Sequence, residues 1–105
     1  SGQTKGALVA QTAYLSHHLG PHGVTINSVC PGITQTDIYK GIVQRNAETR
    51  GISVEQAMAD AVEVVPLRRA NDPSDIADLV VFLASDGARN INGQSWNVDG
   101  GLLTH

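Results

Sequence analysis

Apolar positions along the chain change their period several times, and each change marks an element. From Gly6 to Leu19 they recur at helical spacing, with Leu8, Thr12, Leu15 and Leu19 on one face. Gly20-Pro21 stops that helix, because glycine can take the left-handed cap and proline cannot continue the ladder. Val24 to Cys30, bounded by Gly23 and Pro31, is mostly β-branched or small and nearly continuous in apolarity. That pattern predicts a strand covered on both faces in a parallel sheet. From Asp37 to Pro66 the chain is polar and irregular, with one helix expected in the middle. There Ser53 and Gln56 have capping-box spacing, and Ala57, Met58 and Ala61 supply a small apolar face. Asp72-Pro73-Ser74-Asp75 opens another helix, with Asp72 at the N-cap, Pro73 at the first helical position and Asp75 at the positive end of the dipole. Ile76, Leu79, Val80 and Leu83 form its expected buried stripe, and Ser85-Asp86-Gly87 ends it. Gln94 to Val98 reads as a final strand before a short tail.

Helix, strand, loop with helix, helix, strand is the second half of a doubly wound α/β sheet. Two parallel strands with three helices leave sheet edges and helix faces uncovered. A dinucleotide fold also needs a glycine-rich turn between a first strand and helix, and no Gly-x-Gly-x-x-Gly run occurs. The expectation is half of a domain that folds against an upstream segment or a second chain.

Composition narrows the function classes. At 105 residues and 41% apolar content the chain is too rich in Leu, Ile and Val to be disordered. Its 7 basic and 10 acidic residues leave a formal charge of -3, so it has no basic footprint for nucleic acid. Apolar runs such as Leu79 to Ala84 are far shorter than a membrane span. A single cysteine, Cys30, excludes an internal disulfide framework and suits a reducing, cytoplasmic compartment. No leader for export is visible.

Two segments carry chemistry. Val29-Cys30-Pro31-Gly32-Ile33-Thr34-Gln35-Thr36-Asp37 reads as a strand end opening into a turn with exposed backbone and hydroxyl groups. Near the chain's end, Gly93-Gln94 and Asn97-Val98-Asp99-Gly100-Gly101 close a short strand on two glycines. Together with Thr4-Lys5-Gly6-Ala7-Leu8, this pattern resembles the C-terminal half of the short-chain dehydrogenase/reductase family, over nearly the whole chain. The resemblance implies a Rossmann-like domain, NAD or NADP as cofactor, and hydride transfer between nicotinamide and an alcohol or ketone. It also implies a homo-oligomer, a dimer or homotetramer, partly through the first helix.

In that family a tyrosine and a lysine four positions later act together. Residues i and i+4 are stacked neighbours on a helix, so an ammonium can lower a phenol's pKa. The resemblance gives Lys5 that role and a second one, hydrogen bonding to the nicotinamide ribose. Ser1 then occupies the tyrosine's register. A serine hydroxyl ionises far above a phenol's roughly 10 and is a poor general acid or base. Three explanations stand: a fragment beginning beside the active site, a catalytically dead cofactor-binding or scaffold subunit, or a self-cleaved species with Ser1 as N-terminal nucleophile. In each, the chain alone is expected to be inactive as a dehydrogenase.

Pro31-Gly32 supplies a rigid bend and a side-chain-free approach to a flat ring. By resemblance, the Thr34 backbone bonds the nicotinamide carboxamide, and the Thr36 hydroxyl bonds the same group or a phosphate. Family members usually carry a larger apolar residue at the Thr34 position. The stretch 37–66 corresponds to the family's substrate lid, in which Ile38, Ile42 and Val43 face either substrate or lid packing. His17, His18 and His22 read as solvent-facing histidines at a helix end, with no metal site, since Pro21 interrupts them and no carboxylate or thiol is suitably spaced. Cys30 and Trp96 read as packing residues, and Asp99-Gly100-Gly101 as structural.

Overall fold

The computed structural model describes residues 2–103. Its elements run α1 (Gly2–Leu19), β1 (Ser28–Pro31), α2 (Asp37–Arg50), α3 (Val54–Ala61), α4 (Pro73–Leu83) and β2 (Ser95–Val98), with short 3-10 turns at Gly20–His22 and Asp86–Ala88. β1 and β2 pair in parallel, Ser28 opposite Ser95, Val29 opposite Trp96, Cys30 opposite Asn97 and Pro31 opposite Val98. This is the parallel α/β arrangement expected for half of a doubly wound sheet.

Several sequence expectations need correction. α1 ends at Leu19 as expected, yet the chain makes one more 3-10 turn through Gly20-Pro21-His22. Gly23, not Gly20, takes the left-handed conformation (φ 76°), and its N–H closes on the Gly20 carbonyl at 2.9 Å. The first strand is shorter than Val24–Cys30 because asparagine side chains replace a ladder at its start. Asn92 Oδ1 accepts from the Ile26 N–H (3.0 Å), Asn27 Nδ2 donates to the Ile91 carbonyl (3.1 Å), and Asn27 Oδ1 accepts from the Gln94 N–H (3.0 Å). A primary amide carries the same donor and acceptor as a peptide group, so it can extend the pairing without a strand. β1 is also only half covered: Val29 and Cys30 are half-buried and Pro31 is exposed.

The face of α1 that meets the sheet is polar. Thr12 and Ser16 are its buried residues, whereas Leu8 is exposed and Leu15 and Leu19 are half-buried. Their hydroxyls bond back to the helix, Thr12 Oγ1 to the Leu8 carbonyl and Ser16 Oγ to the Ala13 carbonyl, both at 2.7 Å. Small, internally satisfied side chains let helix and sheet approach closely. Gly93 marks the limit, since a Cβ there would sit 2.5 Å from Ser16 Oγ.

The stretch after Pro31 holds two helices rather than one. Asp37–Arg50 was expected to be irregular because it is rich in charge, but Tyr39, Val43 and Ala47 recur at one-turn spacing. Val43 and Ala47 pack on Ala57 of α3, with Tyr39, Ile52 and Met58 around them. Thr36 caps the start, and Gly51 (φ 67°) ends the helix. The expected Ser53 cap of α3 is present, its Oγ accepting from the Gln56 N–H at 3.0 Å. On the outside, Asp60 accepts from Gln56 (2.8 Å) and Arg50 (2.9 Å), and these two contacts hold its carboxyl below the ordinary carboxylate range. Both partners are exposed, so the pair contributes little to stability.

Tyr39 is less well served. Its hydroxyl is buried with no hydrogen-bond partner among the described residues, and burial pushes the phenol's pKa up. An unmet buried hydroxyl costs about 1–3 kcal/mol, so Tyr39→Phe is expected to stabilise the fold by about 1 kcal/mol in denaturant melts. The pH dependence has a defined sign. A folded pKa above the unfolded one means stability is complete below pH 10 and lost as pH rises through the folded value. Wild type should therefore lose stability above pH 10 faster than the phenylalanine variant; equal slopes would refute the assignment.

α4 begins as expected, with the Asp72 N–H donating to Asp75 Oδ2 (2.8 Å) and Pro73 in the first turn. Its expected stripe is only partly covered: Ile76, Leu79 and Leu83 are half-buried, Val80 is 49% exposed, and no residue of the helix is fully buried. The molecule exposes 7224 Å², where a folded monomer of 11.0 kDa exposes roughly 5600 Å². Its radius of gyration, 16.9 Å, likewise exceeds the roughly 13 Å of a 100-residue domain. Apolar side chains such as Val81 (69%) and Phe82 (45%) contribute to that exposed surface. No helix among the described residues is long and apolar enough to cross a membrane.

Candidate functional site

The site builds from the paired ends of the two strands. Where β1 ends, the Gly32 N–H donates to the Val98 carbonyl (2.8 Å), carrying the pairing one residue into the turn. Gly32 lies against Asp99 so closely that a Cβ would meet Asp99 Cβ at 2.5 Å and Cα at 2.9 Å. Asp99 is itself fixed, its buried carboxylate accepting from the N–H groups of Gly101 (2.9 Å) and Leu103 (3.0 Å). Gly100 and Gly101 adopt positive φ (65° and 95°), which lets the chain curl around that carboxylate. The expectation that Asp99-Gly100-Gly101 is structural agrees with these contacts.

A clasp holds the rest of the turn. Buried Asn71 donates its N–H to the Ile33 carbonyl (2.7 Å), accepts from the Gln35 N–H (2.9 Å), and sends Nδ2 to the Val98 carbonyl (2.5 Å). This short parallel bridge uses the atoms of Ile33 and Gln35, so Thr34's own N–H faces away from Asn71. Thr34 Oγ1 donates to the Gly32 carbonyl (3.0 Å), and the Thr36 N–H to the Thr34 carbonyl (2.8 Å). Thr36 Oγ1 accepts from the Tyr39 N–H (3.2 Å), capping α2. That acceptance leaves the Thr36 hydroxyl proton available to a ligand.

Lys5 reaches the same strand ends from α1. Its Nζ donates to Asn97 Oδ1 at 2.6 Å, and Asn97 is register-paired with Cys30, the residue before Pro31-Gly32. Amine and turn therefore lie at one end of the sheet. Ser1 is outside the described residues. Of the expected lid residues, Ile38 and Ile42 are 79% and 49% exposed, one turn apart on α2. Val43 is 4% exposed and belongs to the α2–α3 packing, not to the outward face. His17, His18 and His22 are exposed, with His18 stacked on Tyr14 at 5.8 Å. Among the described residues no three metal-ligating side chains cluster. Beside the clasp lies a groove of about 470 Å³, walled by Arg69, Asn71, Asp75, Asn97, Asp99 and Leu103 among others.

A sequence profile described as enoyl-(acyl carrier protein) reductase matches residues 1–103. The chain belongs to the short-chain dehydrogenase/reductase family. It is 37% identical over 100 residues to the D-beta-hydroxybutyrate dehydrogenase of Cupriavidus necator, covering 94% of this chain and 39% of that one. Among solved structures, a short chain dehydrogenase family protein from Francisella tularensis superposes with a TM-score of 0.84 at 36% identity, covering 95% of this chain and 41% of the other. The L-sorbose reductase of Gluconobacter frateurii, complexed with NADPH and L-sorbose, superposes with a TM-score of 0.87 at 25% identity over 97% of this chain and 39% of its own. The chain thus spans about two fifths of the length of the relatives it matches. In this short-chain dehydrogenase family member, Asn71 was not singled out from the sequence, and Asn97 was noted only as part of the closing motif, without its contact to Lys5. Their only signal was a polar side chain where packing would favour an apolar one.

Proposed function

We propose that this chain is the nicotinamide-facing part of an NAD(P)-dependent oxidoreductase that moves a hydride between cofactor and an alcohol or ketone carbon. The observation that carries this reading is the placement of Lys5 and the Pro31–Thr36 turn at the same strand ends. The donor set suits a nicotinamide nucleoside. Ribose hydroxyls need donors, and the Lys5 ammonium keeps two protons beyond the one given to Asn97. A carboxamide needs a donor for its oxygen, and the Thr34 N–H and Thr36 hydroxyl are available.

When bound, the dinucleotide supplies or accepts the hydride. Pro31 and Gly32 would present a rigid, side-chain-free turn to the ring, a contribution of orientation to rate. Lys5 anchors the ribose and places positive charge beside the residue that exchanges the hydroxyl proton. Residues 37–66 serve as a lid, with Ile38 and Ile42 as its substrate-facing side chains. An N-terminal half with the glycine-rich phosphate turn covers the apolar faces of α1 and α4, and the assembly is a cytoplasmic homo-oligomer. Relatives named for hydroxybutyrate and sorbose chemistry support a small hydroxyl- or keto-bearing substrate.

Serine at the tyrosine position favours a second reading, a subunit that binds the dinucleotide without turning it over. Titrating the full-length protein with NADH and NADPH by fluorescence, then following NADPH oxidation with a panel of ketones, separates the two. Binding with turnover is the expected result. Binding without turnover would establish the second reading, and no binding of either dinucleotide would end both.

A further inference from the structure

We infer that Asn97 is a positioning residue for Lys5: its amide oxygen, presented by the last strand, fixes the ammonium relative to the Pro31-Gly32 turn. This rests on the reading of Lys5 as a ribose anchor. A lysine near a helix start has a long, flexible stem and many rotamers. Here Nζ meets Asn97 Oδ1 at 2.6 Å, a charge-assisted length. Lysine only donates, so the amide oxygen must face it, which settles the orientation of the Asn97 amide.

The choice of side chain has consequences. A neutral oxygen accepts one proton and leaves the net positive charge and the other two donors for the ribose and the group that exchanges the hydroxyl proton. A carboxylate in its place would neutralise the charge that the reaction uses. Register completes the device. Asn97 is opposite Cys30, and Val98 beside it accepts from Gly32, so one short strand fixes both the amine and the turn. Any shift of β2 moves both contacts together.

A double-mutant cycle on the full-length protein tests this, with NADPH affinity read by fluorescence and the Lys5 ammonium signal by nitrogen-15 NMR. Asn97→Ala is expected to weaken NADPH binding roughly tenfold, the scale of a charge-assisted hydrogen bond. It should also speed exchange of the ammonium protons. In a Lys5→Met background the same change should cost little more, because its effect runs through Lys5. Asn97→Asp keeps an acceptor of the same reach and should restore slow ammonium exchange, which controls for misfolding. Equal losses in both backgrounds, no loss in either, or unchanged ammonium exchange in Asn97→Ala would overturn the inference alone. Lys5→Met without effect on affinity would instead overturn the ribose-anchor reading beneath it.

Discussion

Lys5→Met is expected to lower kcat/KM for ketone reduction by the full-length protein roughly 10³-fold, within the range of positioned acid–base groups. Methionine keeps an unbranched, flexible stem on α1, so the helix and its contact with the sheet should survive. What disappears is the charge at the strand ends and the bond to Asn97. Loss of the ribose contacts should raise the dissociation constant for NADPH. Loss of the charge beside the proton donor should depress kcat as well, so the defect will not be rescued by saturating cofactor. Steady-state kinetics with circular dichroism melts as a folding control decide the matter. Activity within about threefold of wild type would remove Lys5 from the mechanism, since a positioned acid–base group contributes at least about 10²-fold.

Gly32→Ala is expected to cost about 2–3 kcal/mol of stability, the upper part of the usual range for overpacking. The added carbon would lie 2.5 Å from Asp99 Cβ and 2.9 Å from Asp99 Cα, where carbons prefer about 3.5–4.0 Å. Neither side can yield cheaply. Asp99 is tied by its carboxylate to Gly101 and Leu103, and Gly32 is tied through its N–H to Val98. Relief requires pulling the turn off β2, which breaks that hydrogen bond and strains the Asn71 clasp. NADPH affinity should fall along with the melting temperature. Gly41→Ala is the matched control, because no atom lies within 4 Å of its new Cβ and alanine favours a helix interior by about 1 kcal/mol. A Gly32→Ala protein with wild-type stability would mean that the turn is not locked against Asp99.

The elements most legible in the sequence were those with strong local punctuation. Asp72-Pro73 and Ser53 marked helix starts that the structure keeps, because capping acts over three residues and needs no tertiary help. The Pro31-Gly32 turn and the last strand were legible for the same reason. α2 was not, since its apolar stripe is only Tyr39, Val43 and Ala47 amid eight exposed polar or charged neighbours such as Lys40 and Arg45. The stripes of α1 and α4 misled in the opposite direction. Periodicity marks a face that wants cover, but here Leu8 and Val80 remain exposed, and Thr12 and Ser16 take the inner face of α1. Of the site, chemistry-bearing residues on local motifs could be placed from the sequence. Asn71 and Asn97 could not, because their roles exist only after distant strands pair, and an isolated asparagine gives no sign of the carbonyl or amine it will meet.

Thr36 ends one device and starts another. Its N–H closes the turn on Thr34, and its hydroxyl oxygen caps the first turn of α2, which carries Ile38 and Ile42. A ligand that engages this hydroxyl acts on both at once, tightening or loosening the helix start on which the outward isoleucines ride. Thermodynamic reciprocity then requires that whatever orders those isoleucines also changes the grip on the first ligand by the same factor. Equal and mutual changes in the two dissociation constants would be the equilibrium trace of a single shared oxygen.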